Sequence, residues 1–92
     1  MARKQPPLSA TDDVPEDVRV FEHFTVYRVT APGTGTPNVQ ISPDGTNWFT
    51  VGPFNANGYL TVTDDCAYMR VHGGSGTAGA YQIVGIYSHD GG

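Results

Sequence analysis

Short runs of β-branched and aromatic residues, each cut off by Gly, Pro, Asn or Asp, recur along this chain at roughly 8–12-residue spacing, and no stretch repeats its apolar residues at the helical interval. A chain punctuated this way can build sheets and tight turns, with no room for a helix of ordinary length. The longest run, Val18 to Thr30, contains neither Gly nor Pro. Its apolar residues lie first on even positions (Val18, Val20, Phe24, Val26) and then on odd ones (Tyr27, Val29). That phase slip predicts a bulge or a bend between two sheets. Asn38 to Ser42 and Trp48 to Val51 flank Pro43-Asp44-Gly45, which predicts a hairpin with Pro43 at the first central turn position and Gly45 at positive φ. Asp44 and Gly45 are structural residues on this reading.

Gly52 and Pro53 stop the second strand of that hairpin, and Asn55 to Gly58 make the next turn. Tyr59 to Thr63 then place Leu60 and Val62 on one face. Ala67 to His72 place Met69 and Val71 on one face and Tyr68, Arg70 and His72 on the other. The glycines from Gly73 to Gly79 predict a flexible loop, and Ala80 to Ser88 form the last strand. About six or seven strands in this arrangement predict one all-β domain over residues 18–92, a small β-sandwich or jelly-roll-like domain.

Residues 1–17 differ in kind. Pro6, Pro7 and Pro15 fix φ and remove donors, the segment opens with Arg3 and Lys4, and it closes on Asp12, Asp13, Glu16 and Asp17. It lacks hydrophobic periodicity, and the expectation is an extended N-terminal arm without hydrogen-bonded structure of its own. Such an arm gains area by crossing to a neighbouring subunit and adds little to folding. Its candidate partner-binding residues are Arg3, Lys4, Pro6, Pro7, Leu8, Val14 and Pro15.

A domain of 92 residues has a thin core and usually needs a disulfide, a metal or a partner surface. Cys66 is the only cysteine, so no intrachain disulfide forms, and His23, His72 and His89 lack the paired spacings of a zinc site. Packing against a partner is the remaining supplement. The net charge of −4 and only five Lys or Arg supply no basic stripe for nucleic acid. No apolar run approaches a membrane span and no secretory signal opens the chain, so the expectation is a soluble protein made in a cytoplasm.

Raw material for catalysis is poor. The serines lie in turns and tails without a nucleophile elbow, and Cys66 suits a small core position better than a pairing with His72. Asp64 and Asp65 suit a turn, and the spacing of a calcium loop is absent. The glycine-rich segment has no following Lys or helix to cradle phosphate. With no nucleophile, base and orienting group to name together, the chain reads as non-enzymatic, without cofactor or metal. The aromatics remain. Trp48 and Phe49 are adjacent, so a regular strand turns one of them outward. Trp48, Phe49, Phe54 and Tyr59 are the exposed aromatic candidates for binding a partner or stacking on a sugar. Arg70 is placed to tie Asp64, Asp65 or loop carbonyls.

The segment from Val39 to Val51, reading Val-Gln-Ile-Ser-Pro-Asp-Gly-Thr-Asn-Trp-Phe-Thr-Val, followed by Tyr68-Met-Arg-Val71 and a closing Gly-rich loop and strand, resembles small tailed-bacteriophage virion proteins. There a Ser-x-Asp-Gly-x-x-Trp hairpin precedes a Tyr-hydrophobic-Arg-Val strand in a β-sandwich, and the resemblance covers residues 38–88. It implies a capsid decoration (cement) protein on the outer surface of the head, made in the host cytoplasm. The implied partners are the major capsid protein and copies of the chain itself, in an oligomer such as a trimer. A carbohydrate- or receptor-binding module of a tail or fibre, stacking sugars on Trp48 or Phe49 with Tyr59 beside them, is the alternative.

Overall fold

The computed structural model describes residues 7–87, and among these every regular element is a strand. In chain order they are β1 (Leu8–Thr11), β2 (Glu16–Asp17), β3 (Phe21–Thr30), β4 (Thr34–Ser42), β5 (Phe49–Pro53), β6 (Tyr59–Val62), β7 (Tyr68–Ser75) and β8 (Ala80–Tyr87). They form two four-stranded sheets, β1-β8-β3-β6 and β2-β7-β4-β5, in which all neighbours are antiparallel. Both sheets contribute to one apolar cluster. Phe24, Val26, Val62, Tyr81 and Ile83 come from the first sheet, and Val39, Met69 and Val71 from the second. The architecture is all-β and sandwich-like, with strand alternation sending one residue in two to the shared core.

Three expectations are corrected by this arrangement. The first concerns residues 8–17, which are extended as expected but hydrogen-bonded to the domain's own sheets. β1 pairs with β8, setting Leu8 opposite Ile83, and β2 pairs with β7, setting Glu16 opposite Met69. Ala10 lies in the core and Leu8 packs against it. Between the two strands Asp13 adopts φ +63°, a left-handed conformation that Asp tolerates better than most residues. Its backbone N–H reaches the Val71 carbonyl at 2.7 Å, and its carboxylate meets Nδ1 of His72 at 2.5 Å. The physical reason is that polar anchors replace the missing apolar periodicity. Of the arm residues expected to bind a partner, Arg3, Lys4 and Pro6 lie outside the described residues. Pro7, Val14 and Pro15 are exposed.

The second correction concerns the phase of β3. Phe24 and Val26 are buried, whereas Tyr27, Val29 and also Val20 are exposed. Register shifts do interrupt β3 against β8, between Phe21 and His23 and between Arg28 and Thr30, so the expected irregularity is present, but the stretch from His23 to Arg28 between them is regular. Tyr27 therefore stays on the outer face, because nothing shifts the alternation between it and Val26.

The third concerns the glycine-rich loop. Gly73, Gly74 and Ser75 continue β7, and Gly74 and Ser75 pair with Gly35 and Thr34 of β4, so the connection to β8 is shorter than the composition suggested. Gly73 sits at φ +115° with a side-chain position only 2.7 Å from the Thr36 carbonyl oxygen. Glycine here lets the two backbones approach where the β4–β7 register shifts, so that pairing can resume at Gly35 and Gly74.

Candidate functional site

The hairpin between β4 and β5 is built around Asp44. Its carboxylate accepts from the backbone N–H of Thr46 at 2.8 Å and of Asn47 at 2.9 Å, from the Asn47 side-chain amide at 2.8 Å, and from the Ser42 hydroxyl at 3.0 Å. Those donors favour the charged form and hold the Asp44 carboxyl well below the usual carboxylate range. The Ser42 oxygen, fully buried, in turn accepts from the N–H of Asp44 and of Gly45. Gly45 has φ +82°, as the turn chemistry required, and the Tyr68 ring lies over it. The loop is thus fixed from within by a short run of polar residues.

Trp48 follows and is half-buried. The Arg70 guanidinium lies 4.5 Å from the centre of its ring, within cation–π range. Arg70 donates from Nε to Oε1 of Gln40 at 2.7 Å, and Gln40 donates from Nε2 to the Thr50 hydroxyl at 3.1 Å. Among the described residues Arg70 makes no bond to Asp64, Asp65 or a loop carbonyl, which corrects the expected partners. Alternation puts Arg70 on the outer face beside Gln40 of the neighbouring strand, so the tie runs across the sheet instead.

With Trp48 clamped, Phe49 turns outward and is 60% exposed. It stands at the rim of a shallow hollow of about 330 Å³, whose other walls include Ile41, Pro43 and Cys66. Burial pushes the Cys66 thiol pKa up, and the nearby Asp64 and Asp65 charges push it further, which favours the neutral thiol in the hollow. Arg and Lys are absent from these walls, and Asp65 is their one charged member. The hollow is shallow and mostly apolar.

The four aromatic candidates separate clearly. Phe49 and Tyr59 are exposed, while Trp48 and Phe54 are half-buried. Phe54 stacks on Tyr81 with ring centres 5.5 Å apart and planes 1° from parallel, so its face is already used. Phe49 and Tyr59 belong to different sheets and do not form the joint platform expected of them. Tyr59 instead stands beside Tyr27 at 5.7 Å, a pairing that sequence reading missed. The available signal was that Tyr27 is out of phase with Phe24 and Val26. Among the described residues no three His, Cys, Asp or Glu side chains gather as a metal-ligand group. Compared with known proteins, the chain matches no family model, no curated protein and no solved structure.

Proposed function

We propose that the protein is a non-enzymatic structural component of a phage particle, which docks on the outside of the head across joints between major-capsid subunits. The observation that carries this reading is the exposed Phe49 beside its hollow. The hairpin motif supplies the reason for that exposure. Asp44 fixes the turn and Arg70 fixes Trp48, so the next residue is presented on a rigid edge and loses little freedom on binding. A large aromatic beside an apolar depression is the usual anatomy of an interface anchor. Full burial of such a side chain is worth about 1.5–3 kcal/mol. Repeated at each joint, it adds contacts that must break before the shell comes apart. A lattice of such joints also suits a domain acting in several copies.

The test mixes purified protein with undecorated expanded heads and measures what sediments with the particles. Saturable binding at a fixed ratio is expected, with Phe49→Ala weakening it about tenfold or more, the equivalent of about 1.4 kcal/mol. The variant should melt at the wild-type temperature, because Phe49 contributes little to the core. Absence of binding, or undiminished binding by Phe49→Ala, would sink the reading.

A further inference from the structure

Three rows of side chains cross the outer face of the β1-β8-β3-β6 sheet. The first sets Tyr59 of β6 opposite Tyr27 of β3, and Tyr27 opposite Gln82 of β8. The second sets Thr61 opposite Thr25 and Thr25 opposite Val84. The third sets His23 opposite Ile86. The middle row is short and its neighbours are tall, so the face carries a trough running across the strands, of about 270 Å³. Alternate residues along a strand are about 6.8 Å apart, which puts the two tall rows about 14 Å from each other. That spacing accepts one six-membered ring lying on the floor with its substituents directed at the walls.

The chemistry of the lining narrows the occupant. Tyr27, 42% exposed, offers its ring at one wall of the trough, and Tyr59 backs it from outside the lining with ring centres 5.7 Å apart. The hydroxyls of Thr25 and Thr61 share a hydrogen bond of 2.9 Å. Two hydroxyls carry two donors and four lone pairs, so this pair has one donor and three acceptor sites left over. The lining contains no Asp, Glu, Lys or Arg. An aliphatic partner would bury the Thr25 and Thr61 hydroxyls without satisfying them, and an anionic ligand would meet no fixed cation. A neutral sugar matches both halves of the lining, with C–H faces for Tyr27, Val84 and Ile86 and hydroxyls for the Thr pair. At about 270 Å³ the trough lies near the small end of ligand sites, which begin at about 300 Å³, and suits one sugar unit of a chain.

We infer that this trough binds a neutral hexopyranose unit of a glycan. The site stands apart from the Phe49 surface, which belongs to the other sheet, so the two readings can fail separately.

The experiment is an NMR titration of the full chain with the methyl glycosides of glucose, galactose and mannose, each up to about 50 mM, a range that covers Kd values weaker than millimolar. Sialic acid and inorganic phosphate serve as charged controls. The expected result is saturable shifts of the Thr25, Tyr27, Thr61, Val84 and Ile86 amides with at least one neutral glycoside. Tyr27→Ala and Thr25→Val should each weaken that binding about tenfold or more, while Tyr27→Phe retains it. Thr25→Val is nearly isosteric and keeps the test decisive if Tyr27→Ala disturbs the fold. No shifts with any neutral glycoside, shifts elsewhere on the molecule, or equal binding by the variants would overturn the inference. So would a stronger response to the charged controls, or shifts that follow protein concentration alone, which would assign the trough to a second copy.

Discussion

The Tyr81 hydroxyl donates to the Asp12 carboxylate at 2.5 Å, joining residues 69 positions apart in the chain. The other oxygen of the same carboxylate accepts from the Gly79 N–H at 2.9 Å. Tyr81 is a fully buried member of the core, so this bond ties the N-terminal strands to the centre of the molecule. Tyr81→Phe is expected to cost about 1–3 kcal/mol, since a half-buried carboxylate loses a charge-assisted donor. Deleting residues 1–17 should cost more than that substitution, because β1, β2 and Ala10 go with the bond. Thermal melts of both proteins check this, and a truncated chain with the wild-type midpoint would contradict it.

The same bond sets a limit on the alkaline side. Burial first, and the Asp12 carboxylate second, raise the Tyr81 pKa well above the ordinary phenol range. A raised pKa means that the neutral phenol is favoured in the folded state. Its stabilising contribution is complete below about pH 10, where the unfolded chain begins to ionise, and is lost as pH rises further. Tyr81→Phe should therefore show a flatter decline of melting temperature above about pH 10 than wild type.

On the acid side the relevant groups are Asp44 and Asp17. Four donors depress the Asp44 pKa, and the Arg19 side chain, with its backbone N–H, lowers that of Asp17 to about 2. For depressed carboxylates the contribution is present above the unfolded value of about 3.9 and is lost as pH falls below it. Asp44→Asn should destabilise the domain at neutral pH, because its amide would face that of Asn47. The gap from wild type should close as pH drops below about 4. Melting curves at several pH values measure that gap, and a constant gap would remove Asp44 ionisation as its cause.

Arg70→Ala should strand Oε1 of Gln40 and uncover the Trp48 ring, at a cost of about 1–3 kcal/mol. Trp48 is the only tryptophan, so its fluorescence reports the change directly. A shift of the emission maximum is expected in the folded variant. An unchanged spectrum with an unchanged melting temperature would show that the Arg70–Trp48 contact contributes nothing.

Gly85 of β8 is buried, and a methyl group there would lie 2.5 Å from Cδ1 of Phe21 and 2.9 Å from the His23 carbonyl oxygen. Backbone and a core ring both block it, so Gly85→Ala should destabilise by about 1–3 kcal/mol as an overpacked site. Denaturant unfolding tests this, with a wild-type midpoint as the contrary result.

Where alternation was uninterrupted, as in Met69 and Val71 against Arg70 and His72, the core face could be read directly from the residues. The turn at Asp44 and Gly45 was legible for the same kind of reason, since local chemistry determines it. Residues 8–17 were not, because β2 is two residues long and too short to show a period. What holds them is a set of polar contacts to distant partners, Asp12 with Tyr81 and Asp13 with His72, which composition cannot reveal. The Tyr27–Tyr59 pair needed the register of β3 against β6, and Phe49 needed to be told from Trp48 by the position of Arg70. In both cases the missing information was which strands are neighbours.

The order β1-β8-β3-β6 also bears on how the chain is made. β8 lies between β1 and β3, so two of the three pairings in that sheet wait until residues 80–87 have left the ribosome. β2 likewise waits for β7. Until then β1 has no edge to join, and the apolar faces of β3 and β6 pack against the second sheet without Tyr81 and Ile83 between them and β1. The domain therefore completes its core at the end of synthesis of this segment rather than strand by strand, with non-local pairing as its slow step.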